Sequence, residues 1–366
     1  MMTTSTRQMK RLLSTSAKVF DRSLKSRQRE WAVSIKDSTD YDYLRKEIAE
    51  RLVDKLDDIV RDFPTALDVG CHRGFIHDAM VEKNEFVEDG GRPIGAITSL
   101  KQADTAGFRK LIDNKSSNNG FQVDSSFVEF ADEQDIHKFQ PEEFDIVMSS
   151  LWLHWVNDIP DFLKGVRKAL KPDGAFICSA LGGSTLEEFR HSFYLAELER
   201  KGGVSPHVSP LLRASDAAAL LQQAKFALPT IDVDTITVSY ANAAVLMEHL
   251  VAMGEGSAAY NRQYSVGKES FLAMAAIYQG IEEIVLPEHD DNVVEYEMCL
   301  CVYIELYGEE DGSIPVTYQV SFMYSRLLQN NVELYLSDIW LVCYLIILIF
   351  EMLSSLGYFH DWLESP

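Results

Sequence analysis

The chain has 366 residues, of which 46% are hydrophobic and 25% charged, the proportions of an ordinary globular protein. Its formal net charge of −22 at pH 7 disfavours a broad nucleic-acid interface, which needs a basic face. The five cysteines follow neither a four-ligand metal spacing nor a disulfide framework. The sequence therefore predicts free thiols in a reducing compartment, with no bound metal and no nucleic-acid partner.

The two ends of the chain differ from the rest in composition. The first 20 residues contain four basic residues, no acidic residue and seven Ser or Thr. This pattern predicts a mitochondrial transit peptide within a basic leader that covers residues 1–31, and a basic tail is the alternative. Residues 325–366 form a hydrophobic tail, in which 339–350 are apolar without interruption. A membrane-contacting tail, a buried helix and sequence foreign to the native protein are the three interpretations of that stretch.

Apolar periodicity predicts an alternation of helices and strands up to residue 180 and mostly helices beyond it. The predicted helices cover residues 41–63, 74–82, 159–170, 185–201, 216–225, 243–253 and 269–283. The predicted strands begin at Ala66 and then cover residues 92–100, 127–131, 144–151, 175–180, 232–240 and 316–324. Such alternation predicts an α/β fold with a doubly wound, mainly parallel sheet and a helical C-terminal elaboration.

A glycine-containing loop, ALDVGCHRG at 66–74, follows directly from the first predicted strand. Glycine adopts the positive φ angles of a tight turn and carries no side chain that would keep a ligand from the backbone. The helix that follows offers free N–H groups to an anionic part of that ligand. Strand-to-helix turns use the same residues for geometry alone, so the loop by itself does not establish a ligand site. The sequence blocks that follow it support that interpretation.

Several blocks of the chain, taken in order, resemble the mitochondrial complex I assembly factor 5 family. The blocks are FDR at 20–22, FPTALD at 63–68, SSLWLHWVND at 149–158, GGSTL at 182–186, GGVSPHVSP at 202–210, MGE at 253–255 and DGSIPVTYQ at 311–319. The resemblance covers roughly residues 18–284 and 308–324, and it includes motifs outside the cofactor-binding region.

The resemblance implies a seven-stranded, Rossmann-like class I methyltransferase fold over residues 40–324, with an atypical insert at 285–305. It also implies S-adenosylmethionine as cofactor and an arginine hydroxylase activity. The implied substrate is a matrix-side iron–sulfur subunit of respiratory complex I, met in early assembly intermediates. The implied location is the mitochondrial matrix, with peripheral association to the matrix face of the inner membrane.

Five residues are expected at the cofactor. The resemblance places Asp68, Gly70, Cys71 and Gly74 around the amino-acid end of the cofactor, and Asp132 at the adenine amino group. Each has a plain structural alternative. Asp68 is placed to cap the following helix, Cys71 to fill a small apolar space, and Asp132 to be a solvated acid.

His154 and Trp155 are the predicted catalytic residues. They follow the fourth strand, and ligands of open α/β sheets bind outside the carboxyl ends of the strands. His154 suits hydrogen-bond donation or proton relay, and Trp155 suits the wall of an apolar pocket. A packing cluster is the alternative for both.

Two departures from the family pattern bear on function. His72 stands where the family has a glycine, and its ring is expected near the amino-acid end of the cofactor unless it turns aside. The second strand is expected to end near Thr98 and Ser99, with Asp89 and Asp104 poorly placed to bind the ribose. Two further functions stand beside hydroxylation. The resemblance to bacterial relatives implies methylation of a protein or of a malonyl-carrier-protein type substrate as one, and these two departures favour a non-catalytic assembly chaperone as the other.

Overall fold

The computed structural model describes residues 18–85, 93–116, 123–262, 266–279 and 314–327. These residues belong to one compact unit. The predicted insert at 285–305, most of the predicted transit peptide and nearly all of the predicted hydrophobic tail lie outside the described residues. Within the described ranges, no helix is both long and apolar enough to cross a membrane.

One sheet of seven strands forms the centre of the unit. The strands are β1 (Thr65–Val69), β2 (Ser99–Asp104), β3 (Asp124–Glu129), β4 (Phe144–Ser150), β5 (Leu170–Leu181), β6 (Ala227–Tyr240) and β7 (Ile314–Arg326). Their order in the sheet is β3-β2-β1-β4-β5-β7-β6. Strands β1 to β5 pair in parallel, and β7 pairs antiparallel with both β5 and β6. The predicted doubly wound, seven-stranded sheet is confirmed.

Helices cover both faces of this sheet. They are α1 (Arg22–Ser34), α2 (Tyr43–Asp57), α3 (Phe75–Glu85), α4 (Arg109–Ser116), α5 (Ile159–Ala169), α6 (Glu187–Lys201), α7 (Ala214–Gln223), α8 (Ala243–Ala252) and α9 (Lys268–Gln279). The four helices α6 to α9, which follow β5, form the predicted helical elaboration.

The sheet has a buried core on each face because successive side chains of a strand point to opposite sides. Ala66 and Ile146 belong to the larger apolar cluster, which includes side chains of α2, α3, α6, α8 and α9. Their neighbours Leu67 and Val147 belong to a second cluster, with side chains of α5 and α7. Strands covered on both faces read as continuous apolar runs, which is why β1 and β4 could be located from sequence.

The predicted position of the second strand is wrong. It was expected at residues 92–100, but β2 begins at Ser99 and ends at Asp104. Pro93 and Gly95, which has a φ of +60°, form a short 3₁₀ turn before it. The strand itself contains the polar Gln102, buried and bonded to the Ser125 hydroxyl at 3.0 Å, so it does not read as an apolar run. Because β2 lies later in the chain than expected, Asp104 is at its carboxyl end.

Candidate functional site

The glycine loop after β1 turns the chain at the carboxyl edge of the sheet. Gly70 and Gly74 have φ angles of +76° and +81°, in the left-handed region that glycine adopts without strain. The Gly70 N–H donates to the Ala103 carbonyl at 2.8 Å and ties the loop to β2. A Cβ built on Gly70 would lie 2.3 Å from Cγ of Trp152, so this glycine also makes room for the indole.

Asp68 in β1, beside the loop, carries a buried carboxylate that no described residue binds. Its side chain is fully buried, and neither carboxylate oxygen has a hydrogen-bond partner among the described residues. Burial raises the pKa of Asp68 well above its usual range, Asp104 raises it further, and Arg29 acts in the opposite direction. Helix capping would require a backbone N–H to donate to this carboxylate. Both oxygens are therefore open to donors of a ligand.

Asp104 at the end of β2 corrects the expectation that this strand lacks a suitable acid. Its side chain is 1% exposed, and its two carboxylate oxygens accept hydrogen bonds from the Arg29 guanidinium at 2.9 and 2.7 Å. The backbone N–H of His72 donates to the same carboxylate at 2.8 Å. An acid at this strand end is where nucleotide-binding α/β sheets bind ribose hydroxyls.

His72 fits the loop in spite of its side chain. Its φ is +53°, a left-handed conformation in which His is more common than most non-glycine residues. The imidazole centroid lies 4.7 Å from that of Phe108 and 5.5 Å from that of Phe75. The ring that replaces the family's glycine is thus packed against two aromatic rings of neighbouring elements.

A small cavity of about 10 Å³, roughly the space of one water molecule, lies at this edge of the sheet. Its lining includes Arg45, Asp68, Gly70, Cys71, His72 and Ser150. Cys71 is buried, and burial raises the pKa of its thiol well above the usual range, so the thiol is an uncharged part of the wall. Four loop residues were expected at the amino-acid end of a cofactor, and three of them, Asp68, Gly70 and Cys71, line this cavity.

Asp132 lies just beyond the end of β3, at the same edge. Its carboxylate accepts the Glu133 N–H at 2.7 Å and begins a short 3₁₀ helix, Glu133–Lys138. Nε of Arg22 lies 4.0 Å from Oδ1 of Asp132 and 3.1 Å from Oε2 of Glu133. The Arg22 guanidinium carbon also lies 4.9 Å from the centroid of the Trp152 ring. Asp132 is 45% exposed, so its carboxylate is reachable from solvent.

The predicted catalytic pair, His154 and Trp155, forms a short 3₁₀ turn after β4, and both side chains are buried. Nδ1 of His154 accepts the Leu181 N–H at 3.4 Å, so Nε2 carries the ring hydrogen. This Nε2 lies 3.7 Å from Oε2 of Glu255, and Nε1 of Trp155 donates to the same oxygen at 3.0 Å. Burial lowers the pKa of His154, against the influence of Glu255, so the imidazole is neutral at neutral pH.

Glu255 is the central acceptor of this cluster, and sequence reasoning gave it no role. Arg45 pairs with Oε1 of Glu255 and donates to the Met253 carbonyl at 3.2 Å. Burial acts to raise the pKa of Glu255, yet Arg45, His154 and Lys25 hold it well below its usual range. The available signal was the block MGE at 253–255, one of those that carry the family resemblance.

Helix α1 contributes three basic side chains to the site, although sequence reasoning placed most of its residues in a leader. Arg22, Lys25 and Arg29 are three and four residues apart and so share one face of the helix. Nζ of Lys25 donates to the carbonyls of Gly254 at 3.0 Å and Gly256 at 2.7 Å, and lies 3.4 Å from the Trp155 ring centroid. Burial lowers the pKa of Lys25 to about 7. The helix therefore spans the carboxyl edge of the sheet.

The residues at this edge fit S-adenosylmethionine, the cofactor of the fold that the resemblance implies. Asp68, Asp104 and Asp132 lie at or just beyond the ends of the three adjacent strands β1, β2 and β3. Asp68 offers two buried acceptor oxygens that make no hydrogen bond within the described part of the chain, and Asp104 offers a carboxylate where ribose hydroxyls bind. Gly70 keeps the loop backbone free of a side chain at the cavity.

Strand order and acidic strand ends together define a protein of the class I methyltransferase fold. Residues 67–178 match the methyltransferase domain family. A zebrafish (Danio rerio) protein named arginine-hydroxylase NDUFAF5, mitochondrial, is 39% identical over 305 residues, which cover 83% of this chain and 81% of that protein. Its human counterpart of the same name is 37% identical over 305 residues, covering 83% and 76%. The chain belongs to the mitochondrial NDUFAF5 arginine-hydroxylase family.

Bacterial O-methyltransferases are also similar to the chain. The malonyl-[acyl-carrier protein] O-methyltransferase of Xylella fastidiosa is 35% identical over 136 residues, which cover 37% of this chain and 44% of that enzyme. The enzyme of the same name from Methylovorus is 25% identical over 293 residues, which cover 80% of this chain and 84% of that enzyme. The arginine hydroxylases are thus set apart by their higher identity over the length of the chain.

Proposed function

We propose that the chain is a mitochondrial complex I assembly factor that hydroxylates an arginine of a matrix-side iron–sulfur subunit. The observation that carries this proposal is the 39% identity to a protein named as an arginine hydroxylase over 83% of the chain. The net charge of −22 supports it, because an acidic protein attracts a cationic, arginine-bearing segment. Location in the matrix, peripheral to the inner membrane, is part of the same proposal.

The proposal gives the site residues separate tasks. Asp68, Gly70, Gly74 and Asp132, together with Asp104, hold S-adenosylmethionine. The bound cofactor would supply an electrophilic methyl group, whereas hydroxylation needs an activated oxygen, which ordinary side chains do not provide. The chain's own contribution is therefore to bind and orient the arginine and to exclude water from it.

His154 and Trp155 are the proposed catalytic residues, and Glu255 is proposed to position them. The Glu255 carboxylate receives the Trp155 N–H and faces the protonated nitrogen of His154, so it sets the orientation of both rings. A neutral His154 held in one tautomer is a hydrogen-bond donor of fixed direction. Because both ring nitrogens of His154 and the Trp155 N–H face protein groups, this arrangement suits a fixed wall of the site more than proton exchange with a substrate.

Methyl transfer to a protein or carrier-bound acid is the second candidate. The methyltransferase domain match and the bacterial O-methyltransferase relative favour it. The non-catalytic chaperone is weaker than the sequence suggested, because one of its two arguments was the lack of an acid at the end of the second strand. Asp104 occupies that position.

Complementation of cells that lack their own NDUFAF5 protein separates the three functions. Wild-type chain and the Asp68→Asn variant are expressed at equal levels, complex I is quantified, and matrix-side iron–sulfur subunits are examined by peptide mass spectrometry. Hydroxylation predicts an arginine that gains one oxygen atom with wild type and not with the variant. A gained methyl group would instead establish methyl transfer. Full recovery of complex I by both proteins without any modified residue would establish a chaperone and refute the proposal.

A further inference from the structure

A groove of about 480 Å³ lies between α1 and α8, and it shares no lining residue with the cavity at the glycine loop. Trp31 and Ile35 come from the end of α1, and Met247 and Val251 come from α8. Trp31 is 50% exposed and Val251 is 49% exposed, so the groove presents apolar surface to solvent. Its volume is in the range of ligand-binding pockets.

Acidic side chains give the groove a negative electrostatic potential. Glu248 of α8 and Tyr41 both line it, and the Tyr41 hydroxyl donates to Oε1 of Glu248 at 3.4 Å. Partial burial raises the pKa of Tyr41, and the charges of Glu248, Asp40 and Asp37 raise it further. Three carboxylates thus act on one hydroxyl of the groove. A carboxylate accepts several hydrogen bonds, so the bond from Tyr41 leaves Glu248 able to receive a cation.

Lys36 also lines the groove and carries the opposite charge. Its side chain is 93% exposed, and its Nζ lies 3.8 Å from Oδ2 of Asp37, which follows it in the chain. The ammonium group is therefore in solvent beside a neighbouring acid. Three carboxylates against this one ammonium leave an excess of negative charge around the groove.

The groove combines a half-exposed indole, apolar walls and a carboxylate, and an arginine side chain has a matching group for each. A guanidinium is planar and cationic, so it stacks on aromatic faces and pairs with carboxylates. The aliphatic stem of arginine packs against apolar surface. Trp and Tyr are also the residue types that most often anchor a protein partner. Charge and shape together therefore favour a basic segment of another protein.

We propose that the groove between α1 and α8 is a docking site for an arginine-bearing segment of the protein substrate. The docked guanidinium lies against the Trp31 indole and pairs with Glu248. The inference rests on the proposed function, because it assigns the groove to the same substrate, and it adds a surface apart from the predicted catalytic pair. A segment held there raises the effective concentration of the target arginine at the site.

Binding of short peptides to the full chain tests the groove directly. The probes are a fluorescently labelled peptide of sequence GLRLG and the same peptide with citrulline, which is nearly isosteric with arginine and uncharged. The arginine peptide is expected to bind roughly tenfold more tightly than the citrulline peptide. Glu248→Gln should remove most of that difference, because it removes the charge that pairs with the guanidinium. Trp31→Ala should weaken both peptides by about fivefold or more.

Tyr194→Ala and Glu187→Gln are the matched controls. Tyr194 is 48% exposed and Glu187 is exposed, and both lie on α6 outside the groove lining. Each control removes the same kind of group from the surface as one of the test variants. Both controls should bind the two peptides as wild type does. Trp31 and Glu248 are themselves exposed, so we expect the test variants to fold.

The same four variants in the complemented cells separate the docking site from the proposed function. At equal protein levels, Trp31→Ala and Glu248→Gln should lower the fraction of the substrate arginine that gains oxygen, and the two controls should not. Equal modification by all four variants and wild type would refute the docking site and leave the hydroxylase in place. No modified arginine with wild type would overturn the proposed function, whereas arginine-selective peptide binding lost in Glu248→Gln would still support the groove. Equal binding of the two peptides, a preference for arginine that survives Glu248→Gln, or no binding of either peptide would refute arginine recognition there.

Discussion

Asp68→Asn is predicted to stabilise the unliganded protein although it damages the proposed cofactor site. The Asp68 carboxylate is fully buried, has no hydrogen-bond partner among the described residues and lies close enough to Asp104 for the two charges to repel. Leaving a buried polar group unsatisfied costs about 1–3 kcal/mol, and more for a charged group. The neutral amide keeps the shape and removes the charge, so we expect a gain of about 1–2 kcal/mol in the free energy of unfolding at pH 8.

The pH dependence of this gain has a definite sign. The folded-state pKa of Asp68 is raised above the ordinary value of 3.8. Between that value and the raised one, the folded protein binds more protons than the unfolded chain, so the wild type loses stability as the pH rises. The loss of stability from the ionised Asp68 is absent below the ordinary pKa and complete above the folded-state pKa. The variant should therefore gain stability at pH 8 and gain almost nothing near pH 4.

Asp145→Asn is the matched control, because Asp145 is an aspartate of the neighbouring strand β4 with the opposite environment. Its carboxylate accepts hydrogen bonds from the Thr65 N–H at 3.0 Å and from Lys171 at 2.8 Å. Burial acts to raise the pKa of Asp145, but the bonds from Lys171 and Thr65 lower it. The stability that the ionised Asp145 contributes is thus present above its ordinary pKa, and it is lost as the pH falls through the lower pKa of the folded state. Asp145→Asn should destabilise the protein at pH 8.

Urea unfolding of wild type and the two variants at pH 4 and pH 8 measures these differences directly. The expected result is a pair of shifts of opposite sign at pH 8. At pH 4 the Asp68→Asn shift should nearly vanish, whereas the Asp145→Asn shift should largely remain, because the folded-state pKa of Asp145 lies below its ordinary value. If Asp68→Asn destabilised the protein at pH 8 as Asp145→Asn does, the carboxylate of Asp68 would have a structural partner. The argument for a ligand site at its oxygens would then be refuted.

Two further predictions concern the loop and the buried cluster. Gly70→Ala should lower the free energy of unfolding by more than about 2 kcal/mol, because the φ is +76° and the Cβ would lie 2.3 Å from Cγ of Trp152. Gly203→Ala, whose Cβ would meet nothing within 4 Å, should change it by less than about 0.5 kcal/mol. Glu255→Gln should cost about 3 kcal/mol because it leaves the Arg45 guanidinium without its buried counter-charge. Equal urea midpoints for Gly70→Ala and Gly203→Ala, or for Glu255→Gln and wild type, would contradict these expectations.

The elements that could be located from sequence are those with a strong apolar pattern. Strand β4 was expected at 144–151 and covers Phe144–Ser150, because a strand buried on both faces is apolar throughout. Strand β2 was misplaced, because its sequence SLKQAD has only two apolar residues, and its polar Gln102 is buried in the fold, where its amide oxygen accepts the Ser125 hydroxyl. Pairing of Thr65 with Ser99 across the sheet fixes its register, and a single sequence does not reveal such pairing.

The site was predictable only where it is local in sequence. Asp68, Gly70 and Gly74 lie in one nine-residue segment, so the loop could be recognised from spacing alone. The partners of the buried cluster are distant in the chain, since Trp155 and Glu255 are 100 residues apart and Arg45 and Glu255 are 210 apart. Contacts over such separations depend on the tertiary fold, which places α1, α2 and the end of α8 over the same edge of the sheet.

The crystal structure of the full chain with S-adenosylhomocysteine is the most direct test of the account. The amino-acid end of the ligand is expected at the glycine loop beside Asp68, and the ribose hydroxyls on Asp104. Because Arg29 donates to both oxygens of that carboxylate, its side chain should move away when the ribose binds. A ligand bound elsewhere, or an Arg29–Asp104 pair unchanged beside a bound ligand, would contradict the assignment of this edge as the cofactor site.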